Sequence, residues 1–310
     1  MEVLHFFESI RNQYLDGIML MITHFGEEMI LIAFILVMFW CINKKDGYYL
    51  IIVGFLGIVM QQFLKLLFRI PRPWVIDKNF TIVESAREGA IGYSFPSGHT
   101  LTAVSAYGGL FKITKYKWLK ILSIILAILV PLSRMYLGVH TPLDVFVSII
   151  IAIILLVTLY PLTHSDKSSD KKMLIALISL VILSLFAYIF VSLYKFPQDA
   201  DMKNIIDGIS NLSKISGASV GLLIAWYIEN KYIKFETKAK WYIQVFKCLF
   251  GVLLILAIKE IIKAPLNNLV GINTGNFIRY FMVTITGVAI WPAIFTKFNK
   301  FLSKKAKNFN

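Results

Sequence analysis

Long apolar runs separated by short polar connections dominate the chain, and the runs have the length of membrane-crossing helices. A helix needs about 20 apolar residues to cross the hydrocarbon core of a bilayer. Runs near that length fall at 27–43, 48–70, 99–116, 118–136, 142–162, 172–194, 214–231, 242–262 and 277–297. The pattern predicts an all-α, polytopic transmembrane helix bundle of about nine spans. Residues 1–25 differ, with Phe6, Phe7, Tyr14, Leu15, Ile18 and Met19 set among polar positions. That is the pattern of an interfacial helix leading into the first span. The run at 214–231 carries Gly217, Ser219 and Gly221, small residues that suit close helix packing. The polar stretch 165–172 is the clearest boundary. It divides a region at 1–163 from a four-span region at 172–298, with a basic tail at 299–310.

Composition agrees with a membrane bundle: 57% of residues are hydrophobic and 16% charged. The formal net charge of +14 would suit nucleic acid in a soluble protein. Here its basic residues gather in one set of connections, so the expected partners are membrane lipids and not nucleic acid. That set holds Lys44 and Lys45; Lys112, Lys115 and Lys117; Lys167, Lys171 and Lys172; Lys231, Lys234, Lys238 and Lys240; and the lysines of the tail. The other set mixes signs, with Asp77, Lys78, Glu84, Arg87 and Glu88, then Asp199, Asp201, Lys203 and Asp207. Positive connections stay in the cytoplasm. The expected topology therefore has the amino terminus and the 74–95 loop outside and the carboxyl terminus inside. The first residues lack a basic n-region, and no cleaved signal peptide is expected. Cys41 and Cys248 lie in apolar segments and read as small hydrophobes, not as a disulfide. No Cys/His cluster has zinc spacing.

Three polar motifs interrupt this pattern at helix ends. Lys65 is followed after six residues by Arg72-Pro73; Pro96-Ser97-Gly98-His99 opens an apolar run; and Ser133-Arg134 precedes His140 and Asp144. Lys65, Arg72 and Arg134 supply the cations that a transferring phosphoryl group needs. Arginine grips two oxygens with one planar fork. At the start of a helix, Ser97 and Gly98 offer free backbone N–H groups to an anion, with glycine allowing close approach. Asp144 falls within the first turn of the helix that follows His140, where a carboxylate can fix the imidazole tautomer. Each residue also has a plainer use: Lys65 can snorkel to the interface, Ser97 can cap a helix and Asp144 can complement a helix dipole.

Taken together, in order, the three motifs resemble the signature of the type 2 phosphatidic acid phosphatase (PAP2) superfamily. The resemblance covers Lys65 to Asp144. It implies a six-helix core followed here by extra carboxyl-terminal helices. It also implies a metal-independent phosphatase without cofactors, with His140 as nucleophile forming a phosphohistidine and His99 as general acid. Asp144 would orient His140, and Lys65, Arg72, Ser97, Gly98 and Arg134 would bind phosphate. The expected substrate is a lipid phosphate or polyprenyl diphosphate reaching the extracytoplasmic face. Alternatives are phosphotransfer from a polyprenyl diphosphate, a sugar-phosphate phosphatase, or a non-catalytic lipid-binding or transport protein. Arg69, one turn before Arg72, can contact the substrate or the lipid headgroup layer. Outside the signature, Lys259, Lys263 and Arg279 sit near span ends, where they can extend the basic pocket or pair with Glu260 and anchor the helices.

Overall fold

A computed structural model describes residues 1–164 and 169–298. The described residues form helices and connections with no strand. In chain order the α-helices are α1 (Glu2–Ser9), α2 (Gln13–His24), α3 (Glu28–Val37), α4 (Lys44–Phe68), α5 (Pro73–Ile76), α6 (Gly98–Ile113), α7 (Lys117–Tyr136), α8 (Pro142–Thr163), α9 (Ser169–Leu193), α10 (Met202–Ile228), α11 (Trp241–Ile261), α12 (Lys263–Val270) and α13 (Ile272–Ile285). Three of them run on into a π-helical turn: α3 at Met38–Ile42, α10 at Glu229–Ile233 and α13 at Thr286–Ile290. The expected boundary at 165–172 lies outside the described residues up to 168, and the expected basic tail at 299–310 lies outside them entirely.

Among the described residues, five helices are long and apolar enough to cross a membrane, or six if the bent pair α2 and α3 counts as one span. The expected count of about nine is therefore not met by length and composition. Two runs show why. Helix α6 has only 16 residues. Helix α10 has 27 residues, but Lys203, Asp207, Lys214 and several serines are spread along it. Both are held by protein neighbours, so neither needs an apolar surface all round.

Helix α4 is the centre of the bundle. Tyr48 to Val53 are all buried, and α6, α8, α9 and α10 pack around it. The end of the bundle that carries the amino terminus of α4 is sealed by aromatic residues. Trp40 donates to the Gly287 carbonyl at 2.8 Å, and Trp291 to the Lys247 carbonyl at 3.0 Å. The Lys44 ammonium meets the buried Glu229 carboxylate at 2.8 Å, which brings the α10–α11 connection beside the start of α4. At the opposite end, α1 and α2 lie against the last turns of α7. Tyr136 donates to Asp16 at 2.8 Å, and Arg11 donates to the Tyr136 and Thr81 carbonyls.

The carboxyl-terminal helices join this bundle through small residues. At Gly208 of α10 an added Cβ would come 2.7 Å from the Leu66 side chain of α4. One at Gly221 would come 2.7 Å from the Phe281 carbonyl oxygen of α13. A Cβ at Gly217 would fall inside contact distance of the Phe277 carbonyl oxygen, again on α13. Backbone cannot move aside as a side chain can, so any larger residue must push the two helices apart. Gly217→Ala is expected to destabilise the protein by about 1–3 kcal/mol, read as a lowered thermal unfolding temperature in detergent. Gly17→Ala, in the interior of α2 where nothing lies within 4 Å, should not lower that temperature and should raise it slightly through helix propensity.

Candidate active site

The three motifs meet where α4 and α7 end and α6 and α8 begin. Each arrives there for a local reason. The last turn of α4 carries Lys65, and Arg69 closes that helix in a left-handed conformation (φ 52°). The chain then turns through Pro71-Arg72-Pro73, with Pro73 at the first position of α5. Ser97 caps α6 by accepting from the Thr100 N–H, and Thr141 caps α8 in a reciprocal box with Asp144. Loop 77–97 folds back over these ends, pinned by Ser94 N–H to the Ile70 carbonyl at 2.8 Å and Val83 N–H to the Leu137 carbonyl at 3.2 Å.

Within this junction Lys65, Arg72, Arg134, His140 and Asp144 are all buried, and His99 is half-buried. Arg72 is held on every side. Its Nε donates to the Gly92 carbonyl, its Nη2 to the Ile91 carbonyl at 2.9 Å, and its Nη1 to the Val139 carbonyl at 2.8 Å. The same Nη1 stands 2.9 Å from His140 Nε2. A guanidinium can only donate, so Nε2 must be the accepting, unprotonated nitrogen and Nδ1 carries the proton. Nδ1 faces Asp144 Oδ2 at 3.4 Å and Ser94 Oγ at 3.5 Å. Burial first, then the charges of Arg72, Arg134, Lys65 and His99, push the His140 pKa well below the ordinary 6.5. The neutral imidazole is thus favoured, with its free lone pair towards the cations.

Arg134 is held differently. Its Nη1 donates to Thr23 Oγ1 at 2.8 Å, while Nε and Nη2 have no acceptor among the described residues. Lys65 reaches the Ile91 carbonyl only at 3.4 Å. The junction therefore has N–H donors in surplus, the electrostatic complement of a phosphate.

Asp144 is placed for both uses considered for it. Oδ2 accepts from the Thr141 N–H at 2.7 Å as part of the cap, and from Ser94 Oγ at 2.6 Å, while approaching His140. At Gly98 an added Cβ would meet the Gln61 amide nitrogen at 2.6 Å, so the glycine also allows a close approach of α4. Arg69 is turned back on its own helix, donating to the Leu66 and Leu67 carbonyls and lying over Tyr194 and Phe196. Lys263 is exposed at the start of α12, and Lys259 pairs with Glu260 at 3.6 Å. Arg279 is buried in α13 and bonded to Asn276 instead of Glu260.

Sequence reading misses Thr23, Ser94 and Gln61. Each makes its contact across a long stretch of chain. Ser94 had the one available signal, as a hydroxyl three residues before Ser97 in the same motif-bearing loop. Among the described residues no group of three or more His, Cys, Asp and Glu side chains could hold a metal ion.

Comparison with known proteins agrees with this geometry. The family model described as PAP2 superfamily matches residues 46–168, which include every motif position. A second, described as PAP2 superfamily phosphatase, transmembrane extension, matches residues 213–305. The undecaprenyl-diphosphatase BcrC of Bacillus subtilis is 32% identical over 152 residues, covering 47% of this chain and 74% of that protein. An undecaprenyl-diphosphatase of Sulfolobus acidocaldarius is 35% identical over 132 residues, 42% of this chain and 62% of its own length. Human sphingosine-1-phosphate phosphatase 2 is 28% identical over 66% of this chain and 50% of its own length. No solved structure matches. The motif residues, their convergence at one buried junction and these matches establish that the chain is a membrane phosphatase of the PAP2 superfamily.

Proposed function

We propose that the chain removes phosphate from an amphiphile, a polyprenyl diphosphate or a lipid phosphate, through a covalent phosphohistidine at His140. The observation that carries this reading is the 2.9 Å approach of Arg72 Nη1 to His140 Nε2, buried among Lys65, Arg72 and Arg134, which makes Nε2 the accepting nitrogen. Undecaprenyl-diphosphatases and sphingosine-1-phosphate phosphatases among the relatives support the substrate class.

The terminal phosphoryl group lies between Arg134, whose Nε–H and Nη2–H are free to donate, and Lys65. Its negative charge draws the Arg72 Nη1–H from His140 to a phosphoryl oxygen, which exposes the Nε2 lone pair. Nε2 attacks phosphorus as the bond to the leaving oxygen breaks, and His99, protonated once the negative charge of the bound phosphate offsets the neighbouring cations, gives that oxygen its proton. Asp144 and Ser94 hold Nδ1–H and stabilise the positive charge that develops on the ring. Water then attacks phosphorus with His99 accepting its proton; the P–N bond breaks, and inorganic phosphate leaves. The cations neutralise the equatorial oxygens throughout, which is the larger part of catalysis in phosphoryl transfer.

Charge also supports a side for the reaction. The basic connections Lys44–Lys45, Lys112–Lys117 and Lys231–Lys240 lie at the helix ends opposite the junction. By the positive-inside rule the site then faces the extracytoplasmic side, open to substrate from the outer leaflet. The division of the chain into a catalytic part, 1–163, and a carboxyl-terminal part, 172–298, belongs to the same reading, although α9 and α10 share the packing around α4.

Purified protein in detergent should release phosphate from polyprenyl diphosphate, phosphatidic acid or sphingosine phosphate with EDTA present. His140→Ala should lower the rate by at least about 1,000-fold. Release abolished by EDTA, or retained in His140→Ala, would contradict the mechanism.

The pH dependence follows from His140. Its depressed pKa keeps it neutral as pH falls through 6.5. After correction for titration of the substrate phosphate, kcat/KM should therefore hold at pH 6.5 and decline only at lower pH. An acid limb with its half-maximal point at or above 6.5, assigned to His140 of the free enzyme, would contradict the argument that His140 is held neutral.

A further inference from the structure

Arg279, on α13, is 4% exposed and lies outside the catalytic junction. Its Nη2 donates to Asn276 Oδ1 at 2.6 Å, and Asn276 in turn donates to Ser210 Oγ on α10 at 2.8 Å. Nε and Nη1 have no acceptor among the described residues, and no carboxylate lies within ion-pair distance of the guanidinium. Leaving a buried charge unpaired is costly, and isolated buried cations are rare for that reason. Among the described residues the arrangement has one counterpart. Arg134 is likewise buried, bonded through one nitrogen to a neutral side chain, and left with two N–H donors.

A second cation stands beside it. Lys214, half-buried on α10, donates to Asn211 Oδ1 at 2.8 Å and makes no ion pair among the described residues. The charges that bear on Lys214 are those of Arg279, Glu28, Asp207 and Lys259. Glu28 is exposed at the start of α3 and Lys214 is half-buried, so this side of the cluster opens to the surface of the bundle. Gly217 and Gly221 fix α10 against the backbone of α13 and so hold Lys214 and Arg279 in register. Both residues fall within the transmembrane extension, 213–305, and not within the match at 46–168.

We propose that Arg279 and Lys214, with Asn276 as a neutral support, form a second phosphate-binding site in the carboxyl-terminal extension, separate from the site of transfer. A guanidinium edge with two free N–H groups and a neighbouring ammonium suit the oxygens of a phosphate ester or inorganic phosphate, as they do at Arg134 and Lys65. This site does not rest on the phosphohistidine reading. It binds an oxyanion whether or not His140 is the nucleophile.

Calorimetric titration of the purified full-length protein in neutral detergent tests it, with inorganic phosphate as one probe and a short-chain phosphatidylglycerol as the other. The wild type should bind two equivalents of at least one probe. Arg279→Gln should bind one, and Lys214→Gln should weaken the same site by at least about 10-fold. Arg134→Gln should remove the other equivalent, so that failure at the transfer site and failure at this site are read separately. A second equivalent seen with phosphatidylglycerol alone identifies a lipid headgroup as the ligand; one seen with inorganic phosphate identifies a soluble phosphate. If Arg279→Gln does not fold, Lys214→Gln decides. One equivalent in the wild type with both probes, or two with unchanged affinity in Arg279→Gln or, where that variant does not fold, in Lys214→Gln, would overturn the proposal.

Discussion

The structure depends on keeping three cations out of water beside a histidine that must stay neutral. Lys65, Arg72 and Arg134 are buried at one junction with Asp144 as the carboxylate among them. Like charges gathered in this way repel, and each has lost hydration. What offsets the cost is mostly backbone: the Gly92, Ile91 and Val139 carbonyls surround the Arg72 fork, and the Thr23 side-chain hydroxyl accepts from one nitrogen of Arg134. The helix caps, the folded-back loop and the packing of α1 and α2 against α7 keep those groups in place. The neutrality of His140 follows from the same crowding, because protonation would add another positive charge to the cluster.

Seen this way, the two ends of the bundle have different tasks. One end is sealed by aromatic packing around Trp40 and Trp291 and by the Lys44–Glu229 pair, which matches the buried carboxylate there. The other end holds donors in surplus at Arg134, and α13 holds a second surplus at Arg279. Helix α10 links the two surpluses. Gly208 lets it approach Leu66, next to Lys65, and Gly217 and Gly221 let it approach α13. The carboxyl-terminal extension is therefore built into the same core as the catalytic helices.

Much of the junction was legible in the sequence because its chemistry is written in short spacings. His140 and Asp144 are four residues apart and fall together in a capped first turn, and Lys65 precedes Arg72 across one helix end. Thr23, Ser94 and Gln61 were not legible, since each matters through a contact that only the folded chain creates. Gly98 shows the limit of local reasoning: a glycine at a helix start implies close approach, but not by what, and here the neighbour is Gln61. Arg279 stood out as a charge in an apolar run, yet its partner is Asn276 on the same helix and not Glu260. The count of about nine spans is not confirmed by length and composition, because helices sheltered by protein, such as α6 and α10, need not be long or apolar enough to face lipid.

The most direct test of the central claim is to look for phosphate on His140 itself. Enzyme in excess would be mixed with substrate labelled in its terminal phosphate, quenched in alkali within milliseconds, and mapped by peptide mass spectrometry, since phosphohistidine survives alkali. Label on His140 that forms before free phosphate and then decays is the predicted result. Rapid phosphate release with no label on His140 at any time would contradict it.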